Sequence, residues 1–301
     1  MAANRKKSCL DEGTGYRVFS VFNTCLLVLI LFLTAYPVYF VLIASISDPT
    51  KMVANYGLMW LPHFPLSLTS YRMVFRHSLL LSGFGNTLFI VIVGLAFNMV
   101  LTVLGAYLLS LKNSLLKKPI AYLILFTMYF SGGLIPYFLI VKDLGMLDSV
   151  LAIIIPSAVS TYNCIILRTA FDALPPSLEE SARLDGANDL HILFRLYLPL
   201  SIPTLAVIGL FYAVSRWNAW FDAVIFIRSR DLYPLQLVLR ELLITSNADY
   251  MQEMGNSVEM TAISELVKYA TIIVATVPVL LIYPFLQKYF VKGMMIGAVK
   301  G

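Results

Sequence analysis

The sequence predicts an all-α membrane protein with six transmembrane helices. Three observations carry that expectation. Of the 301 residues, 59% are hydrophobic and only 13% charged, against about 25% charged in a soluble domain. The mean hydropathy is +0.81, an apolar excess that no water-facing surface can accommodate, because a soluble fold must cover itself with polar groups. The few charges also fall between uncharged runs of membrane-spanning length. This composition excludes a water-soluble enzyme, a disordered chain and a secreted disulfide scaffold.

The elements follow in order. Arg5-Lys6-Lys7 and Arg17 precede the first uncharged run, Val18 to Ser47. That run is too long for a signal-peptide core and lacks a convincing small-residue cleavage site, so it is expected to be a retained helix. Residues 1–17 form a cytoplasmic N-terminal segment. Met52 to Tyr71 is also uncharged, but Pro62, His63 and Pro65 mark it as a loop outside the hydrocarbon core. The second span is Ser78 to Leu111 and the third is Pro119 to Val141. The third is interrupted by Ser131-Gly132-Gly133 and Pro136. Such a break at membrane depth requires neighbouring protein or a cavity to satisfy the freed backbone groups; a kinked packing helix and a cavity-lining segment both fit. Ser149 to Leu167, Leu196 to Ser215 and Tyr269 to Gln287 complete the set. Each run is near or above the roughly 20 residues that a helix needs to cross.

Orientation follows from Lys and Arg. With the N-terminus inside, the inner segments hold Arg5, Lys6, Lys7, Arg17, Lys112, Lys117, Lys118, Arg168, Arg183, Arg195, Lys288, Lys292 and Lys300. The outer ones hold Lys51, Arg72, Arg76, Lys142, Arg216, Arg228, Arg230 and Arg240, with Lys268 at the boundary. The positive-inside rule therefore places both termini in the cytoplasm of a multi-pass protein of the cell membrane. The transmembrane domain runs over residues 18–292, and residues 293–301 form a cytoplasmic tail. Ser229 to Glu265 carries Asp231, Glu241, Asp249, Glu253, Glu259 and Glu265 and reads as an acidic outer loop.

What the chain lacks narrows its function. The net charge of +5 is not gathered into a basic face, so nucleic acid is not an expected partner. Three Cys and three His, far apart, make neither a disulfide framework nor a metal centre. Cys25 and Cys164, inside apolar runs, read as small buried hydrophobes, and Cys9 as a juxtamembrane thiol. No Asp, Glu, Lys or Arg lies in the middle of a span, which argues against an ion-coupled transporter and against a membrane hydrolase. No GxxxxGK[ST] loop is present, so the chain does not bind ATP by that route. No catalytic residue, metal or cofactor is expected, and any uphill work must come from another subunit.

The inner loop of about residues 175–199 is the most informative stretch. Pro175-Pro176 ends the fourth span. Ser177 with Glu180 reads as a capping box that starts a short helix, and Gly186 as its left-handed end. A second helical stretch then runs through His191, Phe194 and Leu198 to Pro199. The result is a small knob on the cytoplasmic face. Within it, Glu180-Ser181-Ala182, then Asp185-Gly186-Ala187, then Leu196-Tyr197-Leu198-Pro199 resembles the EAA loop of ABC importer permeases, with Ser181 and Leu196 as mild departures. Asn86-Thr87-Leu88 and Ala106-Tyr107-Leu108-Leu109-Ser110 resemble the carbohydrate permease pattern, and Phe130 to Pro136 and Pro284 to Gly293 resemble a narrower branch that handles complex oligosaccharides, including pectin- and alginate-derived chains.

The resemblance implies a type I importer permease. Its expected partners are a second permease subunit, two cytoplasmic ABC ATPase subunits, an extracellular solute-binding protein and the surrounding membrane lipid. It also implies that Glu180, Ser181, Ala182, Asp185 and Gly186 dock into the ATPase and pass its motion to the membrane helices. ATP hydrolysis then belongs to those separate subunits.

Sugars are held by aromatic faces with amides and carboxylates on the hydroxyls. Arg216-Trp217-Asn218-Ala219-Trp220-Phe221-Asp222 supplies these types. The distance from Pro199 to Trp217 is about 27 Å along a helix, which puts the cluster near the outer end of span five. Substrate-pathway candidates are therefore Trp217, Asn218, Trp220 and Asp222, with Tyr212, Tyr129 and Asn163 and also Tyr137 and Tyr162. An interfacial aromatic belt is the alternative for the tryptophans, and Asp222 could instead pair with Arg216. The acidic outer loop is the expected contact of the binding protein. A permease for a peptide or another polar solute, or a membrane enzyme or scaffold, are the competing classes.

Overall fold

The computed structural model describes residues 14–54, 57–111, 115, 117–252, 266–281 and 284. All regular structure among them is helical. They fall into two compact units, one within Met1–Tyr71 and Gly255–Ile273, the other within Arg72–Met254 and Val274–Gly301.

In the first unit, α1 (Thr14–Ser45) is a long apolar helix. Two of its hydroxyls fold back onto its own backbone, Thr24 onto the Ser20 carbonyl at 2.8 Å and Thr34 onto that of Ile30 at 2.9 Å, which satisfies them in an apolar medium. Cys25, expected to be buried, is exposed on this helix, because most of α1 has no protein against it. A short α2 (Pro49–Ala54) follows. Ile43, Ala44, Met52, Met59 and Leu266 form the core of this unit.

The chain continues through α3 (Thr69–Arg76) to α4 (Leu80–Ser110), around which the second unit is built. One stripe of α4 is buried: Thr87, Ile90, Gly94, Asn98, Thr102 and Ala106, spaced three or four apart. Small and polar residues at that spacing let neighbouring helices approach closely and bond across. Then come α5 (Lys117–Tyr129) and α6 (Leu134–Asp143), separated by the expected break, where Gly133 has φ +87°. Next are α7 (Leu151–Ile154) and α8 (Thr161–Asp172). The fourth uncharged run is thus not one continuous helix. Pro156 has no N–H to give to a helix, and Ser160 starts α8 afresh by accepting from Asn163 N at 3.4 Å.

On the loop side, α9 (Pro176–Leu184) and α10 (Asp189–Ile192) lead into a π-helical turn, Leu193–Tyr197, and then α11 (Leu198–Leu200). At Ser201 the chain bends by 84° into α12 (Ile202–Trp217). After α13 (Phe221–Phe226) and a 3-10 turn comes α14 (Leu235–Gln252). The expected outer loop is therefore helical over 235–252. Leu235 and Val238 are buried, and Gly83 of α4 leaves them room: a Cβ there would lie 3.0 Å from Val238 Cγ2. The last described helix is α15 (Leu266–Leu281).

Two described helices, Gly15–Ser45 within α1 and Leu80–Ser110, are long and apolar enough to cross a membrane, and the bent pair Asp189–Leu200 with Ile202–Trp217 makes a third when it is counted as one span. The main core packs Ala106, Cys164, Leu167, Phe171, Leu193 and Ile208 from α4, α8, the π-turn and α12. The expectations for Arg5-Lys6-Lys7, Cys9, residues 253–265 and the 293–301 tail lie outside the described residues, as does most of the Pro284–Gly293 motif.

Candidate functional site

Two places in the second unit combine chemistry with position. The first is a cavity of about 400 Å³ between α4, α8 and α12. Asn98, Ser157, Ser160, Asn163, Tyr212 and Arg216 give it polar groups. Tyr162 and Phe211 add aromatic faces, their ring centroids 6.5 Å apart.

Arg216 organises the wall. It is 4% exposed, and the break between α7 and α8 leaves carbonyls without helical partners. Its guanidinium donates to the carbonyls of Ile153, Ile154 (3.0 Å) and Ser157 (2.9 Å), to Ser157 Oγ (2.7 Å) and to Asn98 Oδ1 (2.9 Å). All five acceptors are neutral oxygens, and Asp222 is not among them. The planar fork reaches several acceptors at once, as an ammonium could not. Arg216, which the charge pattern assigns to the outer set, thus has its side chain buried in protein. Gly94 makes the seat, since a Cβ there would stand 3.2 Å from Arg216 Nε. Asn98, 1% exposed, has its Nδ2 amide without a partner.

Tyr212 ties the same wall together. Its hydroxyl lies 2.7 Å from Thr102 Oγ1 and accepts from Ser160 N at 2.8 Å. Of the expected pathway residues, Tyr212, Asn163 and Tyr162 line the cavity. Trp217 is buried beside it, donating to the Ala275 carbonyl at 3.2 Å with its ring edge-on to Phe84. Asn218 caps its own helix by donating to Val214 O at 2.9 Å. Trp220 lies under the guanidinium of Arg240, with Cζ 3.6 Å from the ring centroid. Asp222 is half-buried on α13 and Tyr129 is exposed at the end of α5. Tyr137 packs edge-on against Phe226. Sequence reasoning missed Asn98, Ser157, Ser160, Phe211 and the inward turn of Arg216. An amide in the middle of an uncharged span was the available signal for Asn98.

The second place is the knob. The expected capping box is absent: α9 begins at Pro176, with Pro175 as N-cap and no side-chain cap. Proline at the first helical position has a preset φ and no N–H to satisfy, so the helix starts before Ser177. Its far end is as expected. Gly186 has φ +83°, Gly186 N bonds to Arg183 O and Ala187 N to Ala182 O, each at 3.0 Å, the paired bonds of a left-handed glycine cap. Asn188 then caps α10 through His191 N at 2.8 Å.

One side of α9 faces the protein, with Ala182 against the main core and Glu179 accepting from the Tyr197 hydroxyl at 2.8 Å. Arg183 bridges Glu179 (2.9 Å) and Asp189 (2.7 Å), and those two carboxylates raise the Arg183 pKa above its ordinary value. The other side leaves Glu180, Ser181, Asp185 and Gly186 exposed, with Leu184 89% exposed beside them.

The N-terminal end of α4 is fastened by the Asn86-Thr87 pair. Asn86 Nδ2 donates to the carbonyls of Asp231 (2.6 Å) and Tyr233 (3.1 Å). Thr87 Oγ1 accepts from Leu235 N at 2.7 Å and so caps α14 from a distance. Nearby, Asp148 (φ +57°) accepts from the Arg228 and Ser229 amides and from the Ser229 hydroxyl, which holds its carboxyl below the usual carboxylate range.

The family of binding-protein-dependent transport system inner membrane components matches residues 102–296. The chain is 40% identical over 287 residues to the polygalacturonan/rhamnogalacturonan transport system permease protein YtcP of Bacillus subtilis, covering 95% of this chain and 99% of that one. It is 25% identical to the arabinooligosaccharides transport system permease protein AraQ of Halalkalibacterium halodurans, over 90% of this chain and 93% of that one. A solved bacterial ABC transporter involved in the import of the acidic polysaccharide alginate contains a chain that is 34% identical, with a TM-score of 0.80, over 92% of this chain and 98% of that one. With a polar cavity between its helices and an exposed capped knob, the chain belongs to the family of inner membrane components of binding-protein-dependent transport systems.

Proposed function

We propose that this chain is one half of the pore of an ATP-driven importer that passes a sugar or oligosaccharide delivered by an extracellular binding protein. A second permease subunit completes the pore and two cytoplasmic ATPases drive it. The observation that carries the substrate reading is the cavity wall, which holds hydroxyls, amides, aromatic faces and a guanidinium but no carboxylate. Such a wall suits the hydroxyl-rich surface of a neutral or acidic sugar. It disfavours basic peptides, whose cations would meet Arg216 with no counter-charge. Relatives named for polygalacturonan, arabinooligosaccharide and alginate transport agree with it.

Six crossings are supported by counting each broken pair once: α1, α4, α5 with α6, α7 with α8, the bent pair ending in α12, and α15. Both termini are then cytoplasmic, and α9 lies inside with Glu180, Ser181, Ala182, Asp185 and Gly186 docked in an ATPase. The α14 side lies outside, toward the binding protein. The test is uptake by the complex reconstituted in vesicles, in competition with panels of oligosaccharides and peptides. Competition by oligosaccharides alone is expected; competition by peptides alone would overturn the substrate reading, and ATP-independent uptake would overturn the mechanism.

A further inference from the structure

In the first unit, the segment from Gly57 to Leu68 has an unusual division of labour. Leu58, Trp60, Leu61, Phe64, Leu66 and Leu68 are all more than half exposed. For a loop in water this is unfavourable, since each large apolar side chain left uncovered forgoes the gain of burial. Several of its polar backbone atoms, by contrast, are bonded to protein. The Tyr36 hydroxyl accepts from Met59 N at 3.0 Å and donates to Met59 O at 3.3 Å. The Tyr39 hydroxyl donates to Trp60 O, and the Lys51 ammonium to Phe64 O. His63 N donates to Ser47 Oγ at 3.1 Å, and His63 O accepts from Asp48 N at 2.9 Å. Backbone atoms bonded inwardly with apolar side chains facing outward suit the lipid interface, where the remaining polar groups still reach headgroups and water.

Depth agrees. From Arg17, the last inner cation before the span, Tyr36 lies about 28 Å along α1 and Tyr39 about 33 Å, which matches the roughly 30 Å of hydrocarbon. The Trp60 ring stacks on Phe32 at 5.8 Å and lies against Tyr36 at 5.0 Å, and Trp and Tyr favour that boundary. The exposed patch is continuous with the uncovered face of α1, where Phe32, Val38 and Leu42 are about half exposed or more. We infer that this loop, expected from its prolines to stand outside the hydrocarbon, lies in the outer lipid interface. There it seats Leu58, Trp60, Leu61 and Phe64 among the acyl chains below the headgroups. The inference rests on reading α1 as a span entered from the inner side at Arg17.

The test uses the full chain with its co-expressed subunits in phosphatidylcholine–phosphatidylglycerol vesicles. Nitroxides are placed at Leu31→Cys (mid-span) and Leu61→Cys in a background of Cys9→Ser, Cys25→Ser and Cys164→Ala. Both labels are expected to relax with oxygen more than with a water-soluble nickel chelate, with Leu61 shallower than Leu31. A parallel readout is the emission difference between the unmodified chain and Trp60→Phe. About half of it is expected to be lost with lipids brominated near the glycerol end and less with lipids brominated near the chain ends, with little loss to iodide. Leu31 in lipid with Leu61 in water would overturn the loop inference alone. Leu61 shielded from both relaxants would assign its cover to another subunit and overturn it too. Leu31 in water would overturn the span reading and the inference with it.

Discussion

The hydroxyl of Tyr197, in the π-turn at the foot of α12, donates to Oε2 of Glu179 in the knob helix at 2.8 Å. The tyrosine ring is itself held edge-on by Tyr107 at 5.3 Å and Phe171 at 5.2 Å. A push on α9 therefore meets the core through one directed bond as well as through Ala182.

Tyr197→Phe keeps the ring packing and removes only that bond. The expected result is normal insertion and ATPase binding, with sugar moved per ATP falling about fivefold, in line with about 1 kcal/mol for one hydrogen bond. The check is simultaneous uptake and phosphate release in vesicles. An unchanged ratio would show that Ala182 alone carries the motion.

Arg216→Met removes five donated bonds and leaves the Ile154 and Ser157 carbonyls and Asn98 Oδ1 unpartnered, while Ile153 O keeps the Ser157 hydroxyl at 3.1 Å. At about 1–3 kcal/mol for each unsatisfied buried group, the variant should lose at least about 3 kcal/mol, read as a lower thermal midpoint in detergent. Arg216→Lys should recover only part, because an ammonium cannot match the fork.

Gly94→Ala presses a methyl to within 3.2 Å of Arg216 Nε. It should cost about 1 kcal/mol. Combined with Arg216→Met the two losses should sum to less than their separate values, since the crowded partner is gone. Additivity in that thermal-midpoint cycle would mean that the glycine serves some other contact.

Gly186 needs its φ of +83° and has open space around its missing Cβ. Gly186→Asn should therefore retain coupling, while Gly186→Val, strained in the left-handed region by roughly 1–2 kcal/mol, should fray the end of α9. The measured outcome is sugar-stimulated ATPase, retained in the first and lost in the second. Gly186→Arg should also uncouple uptake, through bulk at the docking face.

Asp148 has a carboxyl whose pKa is lowered by Ser229 and two amides. Because the folded value is the lower one, the tether is fully present above the unfolded value of about 3.8 and is lost as pH falls through the folded value. Amide exchange at Arg228 and Ser229 should rise as pH drops below 4, after correction for intrinsic rates. Asp148→Asn tolerates the φ of +57° but lacks the charge, so its exchange should be elevated and flat over the same window.

Much of this architecture was written in local chemistry. The Ser131-Gly132-Gly133 break and the Gly186 cap follow from residues whose backbone preferences need no neighbours. The break at Pro156 was equally local, but the surrounding run is apolar enough to read as one span. Tertiary partners hid the rest. Ser177 and Glu180 had the spacing of a capping box, and Pro176 outcompeted them by starting the helix first. Arg216 sat next to Trp217-Asn218 and read as an outer charge, because nothing in its surroundings along the chain reveals that carbonyls sixty residues earlier lack partners. The outer acidic stretch read as a loop because charges outweighed its leucines. Its helix rests on a cap supplied by Thr87 of another helix.

The break between α7 and α8 has a consequence for how this pore can change its cargo. Residues 155–160 are not helical, so the rotational phase of α8 is not inherited from α7. An insertion or deletion near Val159, beyond the carbonyls gripped by Arg216, would reshape the rim of the cavity without turning the core face of Cys164, Leu167 and Phe171. A continuous helix would rotate everything after the change by about 100° per residue. Substrate range is thereby free to drift by indels at one address while the scaffold that transmits work stays in register.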